Sequence, residues 1–130
     1  MKVWKLSTLL MIISLSLLGC KTIREFQQRI NAIEIENIDL QRVSDGEYEG
    51  EYDAAIVKAR VKVIVKDHRI VDIELLQHEN GRGKPAEVIP AQVVAAQSLQ
   101  VDTISKATHS SKVILEAIEQ ALRKGVTQPD

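Results

Sequence analysis

The sequence predicts an α+β domain: a small antiparallel sheet built on a hairpin and packed against helices, behind an N-terminal signal and a tether helix. The sheet is indicated between residues 58 and 76, where an alternating strand is followed by a turn and a second apolar run. The helical layer is indicated at the other end of the chain, where apolar residues recur at spacings of three and four from 113 to 122.

The first 19 residues have the composition of an export signal. Lys2 and Lys5 precede an apolar run, Leu6–Leu18, which is shorter than the about 20 residues that a membrane span needs. The run ends in Leu17-Leu18-Gly19-Cys20, which resembles the lipobox of bacterial lipoproteins and implies that lipid is attached to Cys20, the chain's only cysteine. We therefore expect a membrane-anchored protein that faces the extracytoplasmic side. A plain secretory signal that ends near a cysteine is the alternative.

Residues 22–40 are predicted to form the tether helix, because four large apolar residues share one helical face: Ile23, Phe26, Ile30 and Ile33. We interpret this helix as a stalk or as a first helix that packs on the domain. Contact with a membrane surface is the alternative, which a polar face poor in lysine disfavours. The turn signal Asp45-Gly46 marks the start of the compact domain. The predicted organisation is a signal at 1–19, a lipid-anchored tether at 20–44, the domain at 45–124 and a tail at 125–130.

The central hairpin is predicted from alternation. One face of its first strand carries Ala59, Val61, Val63 and Val65, and the other carries Lys58, Arg60, Lys62 and Lys66. The sequence KDHR makes the turn, and the run 70–76 returns as the second strand. We interpret the row of basic side chains as a solvated sheet face.

The segment 77–87, QHENGRGKPAE, is predicted to be a loop. Gly81 and Gly83 indicate unusual backbone dihedral angles or a close approach of the backbone to a ligand. His78 and Glu79 stand at the start of the loop, but no second histidine lies at ligand spacing, so a zinc site is not expected. A plain surface loop is the alternative interpretation.

Two helices are predicted after this loop. Pro90 begins the first, which continues to about Gln100. The second begins at Ser110 or Ser111, one of which is the expected N-cap, and Gly125 ends it. Five hydroxyl residues crowd the entrance to this helix: Thr103, Ser105, Thr108, Ser110 and Ser111. A cap needs only one of them, and a helix N-terminus also attracts phosphate, so the excess indicates a functional site.

The segment Asp102-Thr103-Ile104-Ser105-Lys106-Ala107-Thr108 resembles the acceptor motif of the FMN-binding domain family, which includes flavinylated subunits of sodium-translocating quinone reductases and Rnf-type complexes. That motif has an Asp, two residues, Ser or Thr, usually Gly, and then Ala-Thr. The order of DGEYEGEY, the hairpin, HENGRG, AEVIPAQVVAAQSLQVD and SSKVILEAIEQAL is also similar. The resemblance covers about residues 45–124, and among the members of the family it is greatest to the short, lipoprotein-like ones.

The resemblance implies a covalently bound FMN cofactor. A separate Mg-dependent flavin transferase would use FAD as donor and join the FMN phosphate to the hydroxyl of Thr108. Asp102, Ser105 and Ala107 match the motif around that threonine, and the first two would be read by the transferase or would shape the loop. The protein would then be an electron carrier with an unknown redox partner. His78, Gly81 and Gly83 are predicted to form a wall or lid for the flavin, with His78 bonded to the ring or phosphate.

One residue departs from the motif, because Lys106 stands where the family usually has Gly. A lysine there would obstruct the transferase if the glycine supplies a positive φ, or would pair with the new phosphate. The competing interpretation is a lipid-anchored binding or structural module with the same fold and no flavin.

Two other classes are disfavoured by composition and spacing. With 17 basic and 18 acidic residues and 3% aromatic residues, nucleic-acid binding is not expected. An enzyme with its own catalytic residues is the weakest interpretation, since no nucleophile, base and orienting group can be grouped from the sequence.

Overall fold

The computed structural model describes residues 2–79 and 81–127 and has the predicted α+β class. Its elements in chain order are α1 (Lys2–Ala32), a 3-10 turn (Leu40–Arg42), β1 (Gly46–Asp53), β2 (Lys58–Lys66), β3 (Arg69–Glu79), a 3-10 segment (Lys84–Val88), α2 (Ile89–Ala96) and α3 (Thr108–Gly125). The start of the predicted signal (Met1), Asn80 of the predicted loop and residues 128–130 of the predicted tail lie outside the described residues.

The three strands form an antiparallel meander in the order β1-β2-β3. The predicted hairpin is confirmed, and its turn residues Asp67 and His68 both have positive φ (51° and 59°), as in a type I′ turn. The second strand of the hairpin, β3, is longer than predicted. It extends to Glu79 because His78 and Glu79 pair with Ala59 and Lys58 of β2.

Strand β1 is an element that no pattern in the sequence predicts. Its sequence, GEYEGEYD, has no aliphatic residue, so it lacks the apolar alternation that revealed β2. It is a strand because every residue from Gly46 to Asp53 has a register partner on β2. Long-range pairing rather than local hydrophobicity therefore determines its conformation.

Helix α3 covers one face of the sheet and forms the core with it. The strand side chains Val61 and Val63 have no exposed surface, and neither do Ile114 and Ile118 of the helix. The two layers are in close contact at Gly50, where an added Cβ would collide with the carbonyl oxygen of Ala117. Only a glycine fits under the helix at this point.

The other sheet face carries three rows of charge. Acidic residues of β1 stand opposite basic residues of β2 in the pairs Glu49–Lys62, Glu51–Arg60 and Asp53–Lys58. On the other side, Lys62 Nζ lies 3.0 Å from Glu74 of β3, and this partner raises the pKa of the lysine. Lys58 and Lys62 of β2 therefore have lateral ion-pair partners, Asp53 and Glu74, on a largely solvated face.

The helix predicted at 22–40 ends earlier than expected, at Ala32. The chain beyond it is held by α3 instead, since the backbone N–H of Glu36 donates to Glu119 Oε2 at 2.9 Å. The last turn of α1 enters the core, where Ile30 is 2% exposed. In the structure, the last turn of α1 packs on the domain. No helix in the described ranges is long and apolar enough to cross a membrane.

Helix α2 begins beside Pro90 as predicted but ends at Ala96 instead of about Gln100. Gln97 takes a left-handed conformation (φ 52°) and stops it. The side-chain amide of Gln97 accepts from the N–H of Ile70 and donates to its carbonyl oxygen, at 2.8 and 2.7 Å. These two hydrogen bonds attach the end of α2 to β3 at the point where the helix stops.

Candidate functional site

The segment before α3 is a tight turn that presents Thr108. The N–H of Ala107 donates to the carbonyl oxygen of Ile104 at 2.9 Å, and Lys106, the third residue of the turn, has φ 65°. This pattern is that of a type II turn, which favours glycine at the third position. Thr108 is the first residue of the helix and is exposed.

The predicted N-cap was wrong, since Ala107 occupies that position and neither Ser110 nor Ser111 does. Ser111 is fully buried, and its hydroxyl bridges the turn to the helix. It donates to the carbonyl oxygen of Ala107 at 2.8 Å and accepts from the N–H of Ile104 at 3.0 Å. One of the five hydroxyl groups therefore fixes the turn that carries Thr108.

Ser110 belongs to a second hydrogen-bonded set, which the sequence does not predict. Its hydroxyl lies 3.1 Å from Nε2 of His78, and Nδ1 of the same ring lies 3.1 Å from Oε1 of Glu87. The His78 side chain is only 2% exposed. Both ring nitrogens of His78 therefore have a hydrogen-bonding partner. The set joins β3, the 3-10 segment and α3.

An open cleft of about 340 Å³ lies at the start of α3. The turn contributes Lys106 and Ala107, and the helix contributes Thr108, His109 and Ser110; Val57, Arg82 and Gly83 complete the lining. Lys106 and Arg82 are exposed cations on the rim. The first backbone bond of α3 is from the N–H of Ser111 to Ala107, so three earlier amide groups lie in a turn without intrahelical acceptors.

The structure brings only part of the predicted site together. Thr108, Ala107 and Gly83 line the cleft. Ser105 is exposed in the same turn, whereas Asp102 lines a separate groove of about 330 Å³ beside Lys112. Cys20 is exposed on α1.

His78, Gly81 and Gly83 were predicted to form a wall for the flavin, but only Gly83 lines the cleft. Gly81 has the left-handed φ of 51° that the sequence indicates, but Gly83 has an ordinary φ of −86°. His78 lies behind Ser110, so it does not itself line the cleft.

Three residues of the site were missed by sequence reasoning. Val57 and Arg82 line the cleft, and Glu87 completes the set with His78 and Ser110. No local pattern marks Val57 or Glu87, because they come to the site through the sheet register and a 3-10 turn. Arg82 lies between the two glycines of the loop, and that position was its only signal.

In the described ranges, no group of three His, Cys, Asp or Glu side chains could hold a metal ion.

The family model for the FMN-binding domain matches residues 56–123, from the end of the turn before β2 to the last turn of α3. The chain belongs to the FMN-binding domain family. The match includes every cleft residue named above. The chain is also similar to an uncharacterized protein of Treponema pallidum (strain Nichols), with 29% identity over 85 residues. That alignment covers 63% of this chain and 24% of the relative, so the chain spans about a quarter of its length.

The cleft residues fit FMN, which combines a flat ring system with an anionic phosphate. Val57 and Ala107 supply apolar surface, and Arg82 and Lys106 supply positive charge beside a hydroxyl group. The residues present are therefore suited to the cofactor that the family binds.

Proposed function

We propose that this protein is a lipid-anchored, extracytoplasmic flavoprotein in which FMN is esterified through its phosphate to Thr108 and transfers electrons. The observation that carries the proposal is the exposed hydroxyl group of Thr108 at the start of α3, in a cleft rimmed by Arg82 and Lys106. A family match alone would not select this residue. Its position in the cleft adds a physical reason.

The attachment step is a phosphoryl transfer to the Thr108 oxygen. The hydroxyl attacks the phosphorus of the FMN half of FAD, the pyrophosphate P–O bond breaks, and AMP leaves. The proton of Thr108 passes to a base of the flavin transferase. The product is a phosphodiester anion, which the first turn of α3 and the two rim cations stabilise.

In this chain the protein residues orient the cofactor, and the flavin supplies the redox chemistry when bound. The hydroxyl of Ser111 and the turn at 104–107 fix the backbone at the start of α3, where Thr108 lies. Gly83 contributes backbone to the cleft, Gly81 lies two residues earlier in the same loop, and His78 acts through Ser110. Substituting both glycines with Ala in the loaded, folded protein should shift the flavin absorbance or potential; an unchanged spectrum and potential would contradict this role.

The test of attachment is co-expression with a flavin transferase. The wild type should gain the mass of FMN less one water, and fragmentation should place the added mass on Thr108. Thr108→Ala should abolish the adduct and keep the fold, whereas Thr103→Ala, an exposed hydroxyl outside the cleft, should keep both. An unmodified wild type, in cells where a control acceptor is fully flavinylated, would favour the module without flavin.

The anchor is tested separately at Cys20. Cys20→Ser should leave the protein soluble or uncleaved, because a multi-chain lipid gives the stable attachment that one acyl chain does not. Labelled fatty acid should appear on the wild type and be absent from the variant. A wild type without label would contradict the anchor and leave the flavin proposal intact.

A further inference from the structure

The end of α1 is fastened to the domain beside the cleft. The ring of Phe26 meets the ring of His109 edge-on, with centroids 5.3 Å apart, and His109 follows Thr108 in the chain. The hydroxyl of Tyr52 donates to the carbonyl oxygen of Arg29 at 3.1 Å. Nη1 of Arg29 donates to the carbonyl oxygen of Asp53 at 2.7 Å. These contacts hold the helix on both β1 and α3.

The fastening leaves very little chain between Cys20 and the cleft. Phe26 follows Cys20 by six residues in continuous helix, which is about 9 Å along the axis. A flexible tether over 20–44 would instead have an end-to-end distance of roughly 25–30 Å. The helix therefore removes most of the reach that a free linker would provide.

The residue next to the anchor on the same side of α1 is an exposed apolar one. Ile23 follows Cys20 by three residues, so the two side chains are neighbours on the helix surface. Ile23 is 61% exposed, whereas Ile30 is 2% exposed in the core. Its exposed surface is therefore not used by the fold and lies beside the proposed lipid chains.

We infer that α1 holds the FMN cleft against the phospholipid surface, with Ile23 in the lipid interface. The inference rests on the proposed lipid at Cys20 and adds the position of the site. Thr108 is then kept close to the headgroups by a docked helix instead of moving freely above the membrane. The lipid surface is a direct contact of α1 and not only the place where the chain is tethered.

The experiment measures how near position 108 lies to the bilayer. Cys20 is the only cysteine, so after lipidation Thr108→Cys provides a single free thiol for a fluorophore. The lipidated protein is placed on phosphatidylcholine–phosphatidylglycerol vesicles that carry a headgroup nitroxide. We expect the nitroxide to quench the label when α1 has its native length. A seven-residue helical insertion after Arg24 should reduce that quenching, because it moves the cleft about 10 Å while nearly keeping its face.

Two controls separate the possible failures. The same insertion after Thr127 should leave quenching unchanged. If Thr108→Cys does not fold, a label at Ser105→Cys, exposed in the same turn, replaces it. Ile23→Gln should weaken quenching, whereas Val71→Gln, which removes another half-exposed apolar residue on β3, should not.

The lipid itself is verified first, by the mass of the N-terminal peptide. Absence of lipid on Cys20 would contradict the proposed anchor. A lipidated protein whose label is not quenched, or is quenched equally with the insertion after Arg24, would overturn the inference and leave the anchor standing.

Discussion

Lys106 has a backbone conformation that its side chain disfavours. A left-handed φ of 65° costs a non-glycine residue about 1–2 kcal/mol. The bond from the N–H of Ala107 to Ile104 and the bridging hydroxyl of Ser111 hold the turn in spite of this cost. The strain therefore lies two residues before the proposed attachment point, where the family motif usually has glycine.

Lys106→Gly should stabilise the protein modestly. The relief of strain is offset by the about 0.5–1 kcal/mol of unfolded-state entropy that glycine adds, so a net gain of up to about 1 kcal/mol is expected. Urea unfolding measures it. Ala55→Gly, at another left-handed position (φ 71°), should give a similar gain. If the lysine side chain obstructs the transferase, only Lys106→Gly should also accelerate modification. A destabilised Lys106→Gly would show that the ammonium group contributes more than the strain.

At the scale of elements, His78 links three segments that are distant in sequence. Its ring lies between Ser110 of α3 and Glu87 of the 3-10 segment, and its backbone belongs to β3. The sequence predicts a loop from residue 77 and therefore places this histidine at the start of a loop. The register of β3 against β2 instead turns it toward the inner face, opposite Ala59.

His78→Leu should destabilise the fold by about 1–3 kcal/mol, because the buried hydroxyl of Ser110 loses its partner. The double variant His78→Leu with Ser110→Ala should recover part of that loss, since no unpaired hydroxyl remains. His68→Asn, in the exposed hairpin turn, is the control and should be nearly neutral. Equal losses in the single and double variants would mean that the hydrogen bond is not the cause.

The end of β1 carries a pH-dependent contact. The carboxylate of Asp53 accepts the N–H of Ala55 at 2.7 Å, and this bond, together with Lys58, lowers the pKa of Asp53 from its ordinary 3.8. A lowered folded-state pKa means that the ionised form stabilises the fold. That stability is complete above pH 3.8 and is lost as the pH falls through the lower folded-state value.

Asp53→Asn should therefore be less stable than the wild type at neutral pH and equal to it in strong acid. The amide still accepts from Ala55, so the difference reports charge and should be about 0.2–1 kcal/mol for such an exposed pair. Denaturant unfolding between pH 7 and pH 2 measures it. Asp72→Asn, an exposed carboxylate of β3, is the reference. If the difference in unfolding free energy between the wild type and Asp53→Asn persists at pH 2, the effect comes from packing and not from charge.

What the sequence could predict depends on whether the signal was local. The hairpin and the final helix were predicted because their apolar periods lie within one segment. Strand β1 and the contact between His78 and Ser110 were not, because both depend on pairing across the sheet. Thr108 was identified by motif, but its place in a cleft with Arg82 needed the three-dimensional fold.

At the scale of the whole molecule, the packing of α3 on the sheet depends on the absence of a side chain at Gly50. A Cβ at Gly50 would lie 2.0 Å from the carbonyl oxygen of Ala117 and 2.5 Å from the backbone nitrogen of Ala121. Neither backbone atom can move without shifting the helix. The position of Thr108, at the start of that helix, therefore depends on the fit at its middle.

Gly50→Ala should cost about 1–3 kcal/mol or more, because the helix must move away from β1. Thermal and urea unfolding measure the loss, and the rate of modification at Thr108 should fall with it. Glu49→Ala, the neighbouring residue on the solvated face, should change stability by less than about 0.5 kcal/mol. A fully stable Gly50→Ala would mean that the layers can separate without cost.

The chain enters and leaves the sheet domain at one place. Val43 and Val126 form an isolated antiparallel bridge, the N–H of Ser44 donates to Gly125, and the N–H of Thr127 donates to Arg42. A unit whose two ends are joined in this way can be spliced into a loop of a larger protein without stretching its host. The same domain is therefore compatible with an internal position in a longer chain as well as with a terminal one.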